Sequence, residues 1–348
     1  MRNETIRVGI VGAGANTRLR HIPGLKAMKG VEVVSVANRS RESGERVARK
    51  FGIPTVYDTW RELVEADDTN ALCIGTWPYL HCPVTLAALE NGKHVLCEAR
   101  MAMNASEARA MLEAARRRPH LVAQLVPAPH TLKADRAIQA LIAEGYVGDL
   151  LAVELRATQD IFVDRQSPLH WRHDSDLSGF NILTMGIWYE ALMRWVGPAT
   201  RVMAMTKVSV PRRKDSSGVM RAVTVPDHAD VLVTLACGAI AHLRFSAVTG
   251  LAPGNEAWLF GSEGTLRLDL ATLALSAGRR GENTLREIAV PKEQQVGWRV
   301  EEEFVNAIRG LERVTRTTFE DGVRYMEFTE AVTRSAQSGR AISLPLTR

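Results

Sequence analysis

Residues 6 to 21, IRVGIVGAGANTRLRH, carry the first chemistry legible in the chain. The run Ile6 to Val11 reads as a buried strand. It breaks on Gly12-Ala13-Gly14, passes through Ala15-Asn16-Thr17 and re-emerges as a helix bearing Arg18 and Arg20. Glycines let a backbone turn tightly and come close to a ligand, and the helix start that follows offers unpaired N–H groups and the positive end of its dipole. A strand, a glycine turn and a helix in that order predict a phosphate site. The third small residue of G-x-G-x-x-G would fall at position 17, where Thr17 stands, so the motif is incomplete.

A second set of residues says which nucleotide that site would take. In a dinucleotide fold an acid after the second strand holds a free ribose 2′-hydroxyl, whereas a neutral residue with Arg nearby accommodates a 2′-phosphate. Here the strand Val31 to Ala37 ends in Asn38-Arg39-Ser40-Arg41, with no carboxylate at the tip. Arg39 offers a planar fork suited to phosphate and Ser40 a hydroxyl donor. This pattern predicts NADP in preference to NAD; the alternative is that Arg39 stacks on adenine and both cofactors bind.

The elements that position these residues alternate strand and helix over the first 125 residues. Helices are expected at 41–51, 59–66, 79–90 and 105–117, and strands at 71–76, 94–98 and 121–126. Strands spaced by helices imply parallel βαβ units, hence a doubly wound sheet. Pro127 and Pro129 punctuate a hinge, and a helix over 132–144 follows. Beyond it come a strand at 150–159, an irregular polar loop at 164–179 and an apolar helix from Phe180 to Trp195. Successive strands at 201–210, 229–236, 239–246, 256–260, 265–269 and 274–276 predict a largely antiparallel sheet with one face covered by helices. Two closing helices, 300–309 and 321–338, precede an apolar tail at 342–346. The fold class is α/β: a Rossmann domain over 1–126 and a substrate-binding and oligomerisation α+β domain over 127–348, whose last segment is able to return to the first.

Composition narrows the function class. Of 348 residues, 46% are hydrophobic and 24% charged, as in an ordinary globular protein. The net charge of +5 comes from scattered or short basic runs without aromatic interleaving, which disfavours a nucleic-acid surface. Cys73, Cys82, Cys97 and Cys237 lack C-x-x-C spacing, so neither a zinc site nor a disulfide framework is expected and a reducing cytoplasm is. No apolar run approaches 18 residues and no signal peptide precedes the first strand, so neither a membrane span nor secretion is expected.

Six stretches together resemble the Gfo/Idh/MocA family, the glucose-fructose oxidoreductase and inositol dehydrogenase group. They are VGIVGAGANTRLRHIPGL at the start, TWPYLH at 76–81, GKHVLCEAR at 92–100, HWRHDSDLSG at 170–179, FGSEGTLRL at 260–268 and GVRYMEFTEAVTRSAQSGRAISLPL at 322–346. The resemblance implies an NAD(P) Rossmann domain followed by an α/β domain whose open sheet forms a homo-dimer or homo-tetramer interface. It also implies a pocket for a sugar, cyclitol or related polyol, and it adds Thr76, Trp77, His81 and Glu98 to the expected cofactor contacts.

The departures from the family fall on the chemistry. Its usual Glu-Lys-Pro reads Glu98-Ala99-Arg100 here, and its D-x-G-x-H reads Thr184-Met185-Gly186-Ile187-Trp188. The usual glycine triplet reads Gly179-Phe180-Asn181, and the T-P-N turn reads Thr76-Trp77-Pro78. The family's Lys, Asp and His are thus absent from their places. Oxidising an alcohol leaves a proton to be removed, and a placed acid/base is worth roughly 10² to 10⁴ in rate. Ala99 cannot transfer a proton, Trp188 only donates a hydrogen bond, and Arg100 binds an anion or polarises a carbonyl without acting as a base.

Candidates for a replacement relay lie in His170-Trp171-Arg172-His173-Asp174. His170 and His173 titrate near neutrality, Trp171 stacks on a ring and Arg172 holds an anionic substrate; loop packing is the competing role for each histidine. Trp77, Trp188 and Thr184 would line the substrate pocket, and the indoles suggest a substrate less polar than a simple sugar. Catalytic candidates are therefore His170, Arg100 and Arg172. The expected activity is hydride transfer on a sugar-, cyclitol- or cyclic-alcohol/ketone-like substrate. Two alternatives stay open: a nicotinamide-assisted non-redox enzyme, cleaving glycosides or eliminating, and a non-catalytic sensor of NADP or sugar.

Overall fold

A computed structural model describes residues 5–347, which divide into two compact units. The first runs to Pro127 and takes back Arg299–Val323; the second comprises Ala128–Trp298 and the chain from Arg324 onward.

In the first unit, β1 (Ile6–Val11) leads through the glycine turn into a helix over 15–26, which passes through a π-helical turn at Thr17–His21 and closes as α1 (Ile22–Lys26). Then follow β2 (Val31–Ala37), α2 (Arg41–Phe51), β3 (Thr55–Tyr57), α3 (Trp60–Glu65) and β4 (Ala71–Ile74). The unit continues with α4 (Pro78–Glu90), β5 (His94–Cys97), α5 (Ala105–Arg116) and β6 (Ala123–Leu125). All pairings are parallel, in the order β3-β2-β1-β4-β5-β6. The order reverses between β1 and β4, so the ligand crevice of this fold opens at the carboxyl ends of those two strands. Ile6, Val8, Ile10 and Val11 are buried, as expected of a parallel strand covered on both faces. Local signals set the helix ends: Ser40 caps α2 by accepting from Ser43 N, and Gly52 at φ 62° closes it. The strand β3 has no counterpart in the sequence reading, because three half-buried residues are too short to show a period.

The second unit opens with α6 (Leu132–Ala143), β7 (Leu150–Thr158), the short α7 (Ser175–Ser178) and α8 (Met185–Val196). Next are β8 (Ala199–Lys207), β9 (Arg212–Lys214), β10 (Met220–Ala222), β11 (His228–Leu235) and β12 (Ile240–Ser246). The strands end with β13 (Glu256–Gly261), β14 (Gly264–Asp269), β15 (Leu275–Arg279) and β16 (Arg286–Ile288). After α9 (Val300–Ile308), which belongs to the first unit, come α10 (Phe319–Ser338) and β17 (Ile342–Ser343).

Nine strands pair in the order β16-β15-β14-β13-β7-β12-β11-β8-β17, every neighbouring pair antiparallel except β7 with β12. Burial alternates along the strands, so one face is packed and the other open. On the packed side Tyr189 of α8 stacks on Phe328 of α10 with ring centroids 3.7 Å apart, and Ser335 of α10 accepts from Ala204 N. Met203, Met205, Leu232 and Ile240 are exposed on the other. No described helix is long and apolar enough to cross a membrane.

One expectation needs correction here, and three further strands were not expected. The apolar helix expected from Phe180 begins at Met185, because Gly179 at φ 64° and Leu183 at φ 45° hold the intervening residues in turns that hydrophobicity does not reveal. The strands β9, β10 and β16 read Arg-Arg-Lys, Met-Arg-Ala and Arg-Glu-Ile, with no alternation to announce them.

Candidate active site

The glycine turn is held by the strands on either side of it. Gly12, at φ 80°, donates to Ala37 O at 2.8 Å, and Ala13 N donates to the side-chain oxygen of Asn38 at 2.8 Å. A Cβ on Gly12 would lie 2.5 Å from Thr76 Cγ2 and 2.9 Å from Thr76 N, and one on Gly14 would lie 2.9 Å from Gly75 O. Glycine is therefore required here so that the ends of β1 and β4 close on each other. Asn38 braces this turn, its amide nitrogen going to Ser43 Oγ at 3.1 Å.

At the tip of β2 the Arg39 guanidinium lies 5.6 Å from the centroid of the Trp77 ring, which brings two expected cofactor residues together. Arg41 is occupied by Asp58 at 2.8 Å and Glu45 at 3.2 Å. Ser40 accepts from Ser43 N and keeps its own proton to donate.

Below the turn lies a buried ionic cluster that the sequence reading passed over. Nδ1 of His21 lies 2.5 Å from Glu301 Oε1, and its Nε2 lies 3.0 Å from Glu98 Oε1. Asn16 donates to the same Glu98 oxygen at 2.5 Å. Burial opposes charging of His21, but its bonds to Glu301 and Glu98 prevail and raise its pKa to about 9. Burial likewise works against the Glu98 carboxylate, which the bond to His21 holds below the usual range. Asn16 and Glu98, expected as cofactor contacts, are thus fastened to a protonated histidine. No local signal marks His21, whose partner Glu301 comes from the returning segment.

Two other expected residues change role. His81 is fully buried, its Nδ1 on Arg100 O at 2.8 Å and its Nε2 on Thr76 O at 3.1 Å, and burial pushes its pKa down. It is a strut between the turns after β4 and β5, and no part of it is presented to a cofactor. Arg100 is itself only 3% exposed, so its guanidinium is not displayed as a surface anion receptor.

In the second unit the sequence HWRH folds on itself. His170 N donates to His173 Nδ1 at 3.1 Å, and Arg172 N donates to His170 Nδ1 at 3.3 Å, a reciprocal cap around the 3₁₀ turn Trp171–His173. Burial lowers both imidazole pKa values, aided by Arg172 for His170 and by Arg213 for His173. With Nδ1 accepting in each, the neutral rings carry their proton on Nε2. The Arg172 guanidinium sits 4.2 Å from the Trp171 centroid, a cationic edge on an aromatic plate. The β9–β10 hairpin braces the preceding loop: Leu169 N donates to Lys214 O at 2.7 Å, and Arg213 donates to Asp164 O at 2.8 Å and Ser167 O at 2.9 Å.

At the start of α8, Thr184 is exposed and makes no cap, and one turn on Trp188 is buried against His130, the rings 4.8 Å apart and 25° from parallel. Tyr189 and Glu190 are spent on structure: the Tyr189 hydroxyl accepts from Ala199 N, and Glu190 accepts from Ala128 N and pairs with Arg194 at 2.8 Å. His130 is a further residue that sequence reasoning missed. Its position in Pro-Ala-Pro-His, just past the hinge, was the available signal. Among the described residues no group of three His, Cys, Asp or Glu is arranged to hold a metal.

The family model for an oxidoreductase family with an NAD-binding Rossmann fold matches residues 6–124, and that for the Gfo/Idh/MocA C-terminal domain matches 136–267. The chain belongs to the Gfo/Idh/MocA family. It is an oxidoreductase of the NAD-binding Rossmann type. Among curated relatives of this Gfo/Idh/MocA protein is a levoglucosan dehydrogenase of Pseudarthrobacter phenanthrenivorans, 27% identical over 81% of this chain and 80% of that one. Another is the dTDP-3,4-didehydro-2,6-dideoxy-alpha-D-glucose 3-reductase of Streptomyces antibioticus, 29% identical over 95% and 97%. A crystal structure of an oxidoreductase domain protein from Kribbella flavida superposes with a TM-score of 0.85 at 24% identity, covering 99% of this chain and all of that one, which shows the fold.

The first unit fits a dinucleotide on its own evidence. Thr17 Oγ1 and Thr76 Oγ1 are buried beside the glycine turn and hydrogen-bond no described residue, and buried hydroxyls are rarely left so without a ligand or water. Gly12, Gly14, Ala15 and the backbone around them would hold the phosphates, and Arg39 and Ser40 the ribose end. Thr17 itself is buried, so its hydroxyl lies beneath the turn.

Proposed function

We propose that this protein is an NADP-preferring dehydrogenase or reductase of a sugar-, cyclitol- or cyclic-alcohol/ketone-like substrate, working with a proton relay built from imidazoles. The cofactor preference rests on one observation: Arg39 stands over Trp77 at the tip of β2 beside the hydroxyl of Ser40, and no carboxylate follows the strand. A 2′-phosphate would meet a guanidinium fork there, where an acid would repel it. The substrate class is supported by the named activities of the relatives and by the Trp171–Arg172 plate.

Bound NADP⁺ supplies the hydride acceptor. The chain's own residues orient the substrate and deal with the proton. His170, neutral and with Nε2–H outward of its cap, donates a hydrogen bond to a substrate oxygen. Trp171 and Arg172 offer stacking and charge to the ring. Ala99, Thr184 and Trp188 leave the family's proton-transfer places without a titratable group. Assembly into a homo-dimer or homo-tetramer through the open sheet face is favoured by the exposed Met203, Met205, Leu232 and Ile240.

Absorbance at 340 nm, followed with NADP⁺ or NAD⁺ and levoglucosan, or with the reduced cofactors and 1,5-anhydro-D-fructose, tests the reading. Turnover with the phosphorylated cofactor favoured is expected. Product without net cofactor turnover would move the protein to the non-redox class, and tight cofactor binding with no turnover to a sensor.

A further inference from the structure

Within the second unit, one imidazole differs from the rest. His170 and His173 spend their Nδ1 atoms on each other's turn, and His228 and His242 are bonded to Asp230 on the open sheet face. His130 makes no hydrogen bond to any described residue. Its ring lies face to face with Trp188, so stacking fixes its plane and leaves both nitrogens for a ligand.

The backbone beneath His130 is held firmly. Glu190 accepts from Ala128 N through both oxygens, at 3.2 and 3.1 Å. Arg194 donates to Ala128 O at 3.2 Å and to Thr131 Oγ1 at 3.1 Å, and reaches Asp135 at 3.0 Å. Their anchor points, Ala128 and Thr131, bracket His130 in sequence, and the charged groups pair with one another. A partly exposed ring on a pinned backbone, with unspent nitrogens, is the arrangement of a placed acid/base.

We propose that His130, stacked on Trp188, is the residue that takes the hydroxyl proton in oxidation and returns it in reduction. The proposal rests on the oxidoreductase reading above. The step balances: the carbinol C–H bond breaks with its electron pair going to the bound cofactor, which is reduced, the O–H proton goes to a ring nitrogen of His130, and the oxygen becomes a carbonyl. Burial lowers the His130 pKa, so the ring is neutral near pH 7 and able to accept. Trp188 acts as a positioning residue by holding the ring, and Glu190 and Arg194 hold the backbone.

His130→Gln keeps a polar side chain of similar reach on a loop whose fold rests on Ala128 and Thr131. Two readouts on this variant and on wild type separate the outcomes. An imidazolium quenches a stacked indole more than an imidazole does, so tryptophan emission followed from pH 5 to 8 should show a wild-type transition below the ordinary histidine range that the variant lacks. With levoglucosan and NADP⁺, wild-type kcat/KM should fall as pH drops through that same transition; His130→Gln should lose about 10² to 10⁴ in rate together with this limb. NADPH binding, read by nicotinamide fluorescence, should be unchanged. A variant that keeps the rate and the acid limb overturns the proposal. Should neither cofactor turn over with either probe, the functional reading fails, and the emission transition then decides for His130: an unchanged midpoint on adding levoglucosan to the NADPH complex also overturns its role as a ligand-facing group.

Discussion

Nδ1 of His21 lies 2.5 Å from Oε1 of Glu301, although 280 residues separate them in the chain. With Glu98 on the other ring nitrogen, the imidazolium joins the helix after the glycine turn, the end of β5 and the returning helix α9. The His21 pKa is raised from 6.5 to about 9 in the folded state, so folding takes up a proton between those values. The stabilisation is complete below about pH 6.5, is lost as pH rises, and is gone above about pH 9; a shift of this size corresponds to on the order of 3 kcal/mol. Urea midpoints should therefore fall from about pH 6.5 to about pH 9.5, and Glu301→Gln should both lower stability and flatten this dependence. A wild-type midpoint constant over that range contradicts a charged His21.

Gly12 combines a left-handed φ of 80° with a Thr76 backbone nitrogen 2.9 Å from where a Cβ would stand. Gly12→Ala should cost about 1 to 3 kcal/mol in the first unit and weaken NADPH binding at least tenfold, because the phosphate turn must move away from β4. Cofactor titration alongside thermal melting checks both effects; retention of both would mean the turn relaxes freely.

Arg39 lies over Trp77 with no acid at the strand tip. Arg39→Asp should reduce NADP affinity by about 10- to 100-fold, or 1.4 to 3 kcal/mol, and NAD affinity far less. Equal weakening of the two would remove the basis for a 2′-phosphate preference.

Glu190 is 2% exposed and holds both Ala128 N and Arg194. Glu190→Ala leaves the Arg194 charge short of a buried partner and should destabilise by about 3 to 5 kcal/mol, read as a drop in Tm. If His130 is positioned through this network, the same variant should also change the emission transition of Trp188.

Much of the architecture was readable from local pattern. The parallel half announced itself through apolar runs alternating with helices, whose starts at Ser40, Thr59 and Asn104 the structure shows to be side-chain caps. Alternating strands announced the second sheet. Short or charged strands such as β9 and β16, and the delayed start of α8, escaped because they are set by neighbours and by φ at Gly179 and Leu183.

The site divides along the same line. Spacing alone determined the glycine turn and the neutral tip at Asn38-Arg39-Ser40, because each depends on residues adjacent in the chain, whereas the change at Ala99, Thr184 and Trp188 was legible only against the pattern of the family that the chain resembles. Only the tertiary structure decided that His81 is a strut, that Glu98 and Asn16 serve His21, and that His130 stacks on Trp188. Those relationships join residues 5 to 82 positions apart, and a side chain's protonation and purpose follow from the partners that folding brings to it.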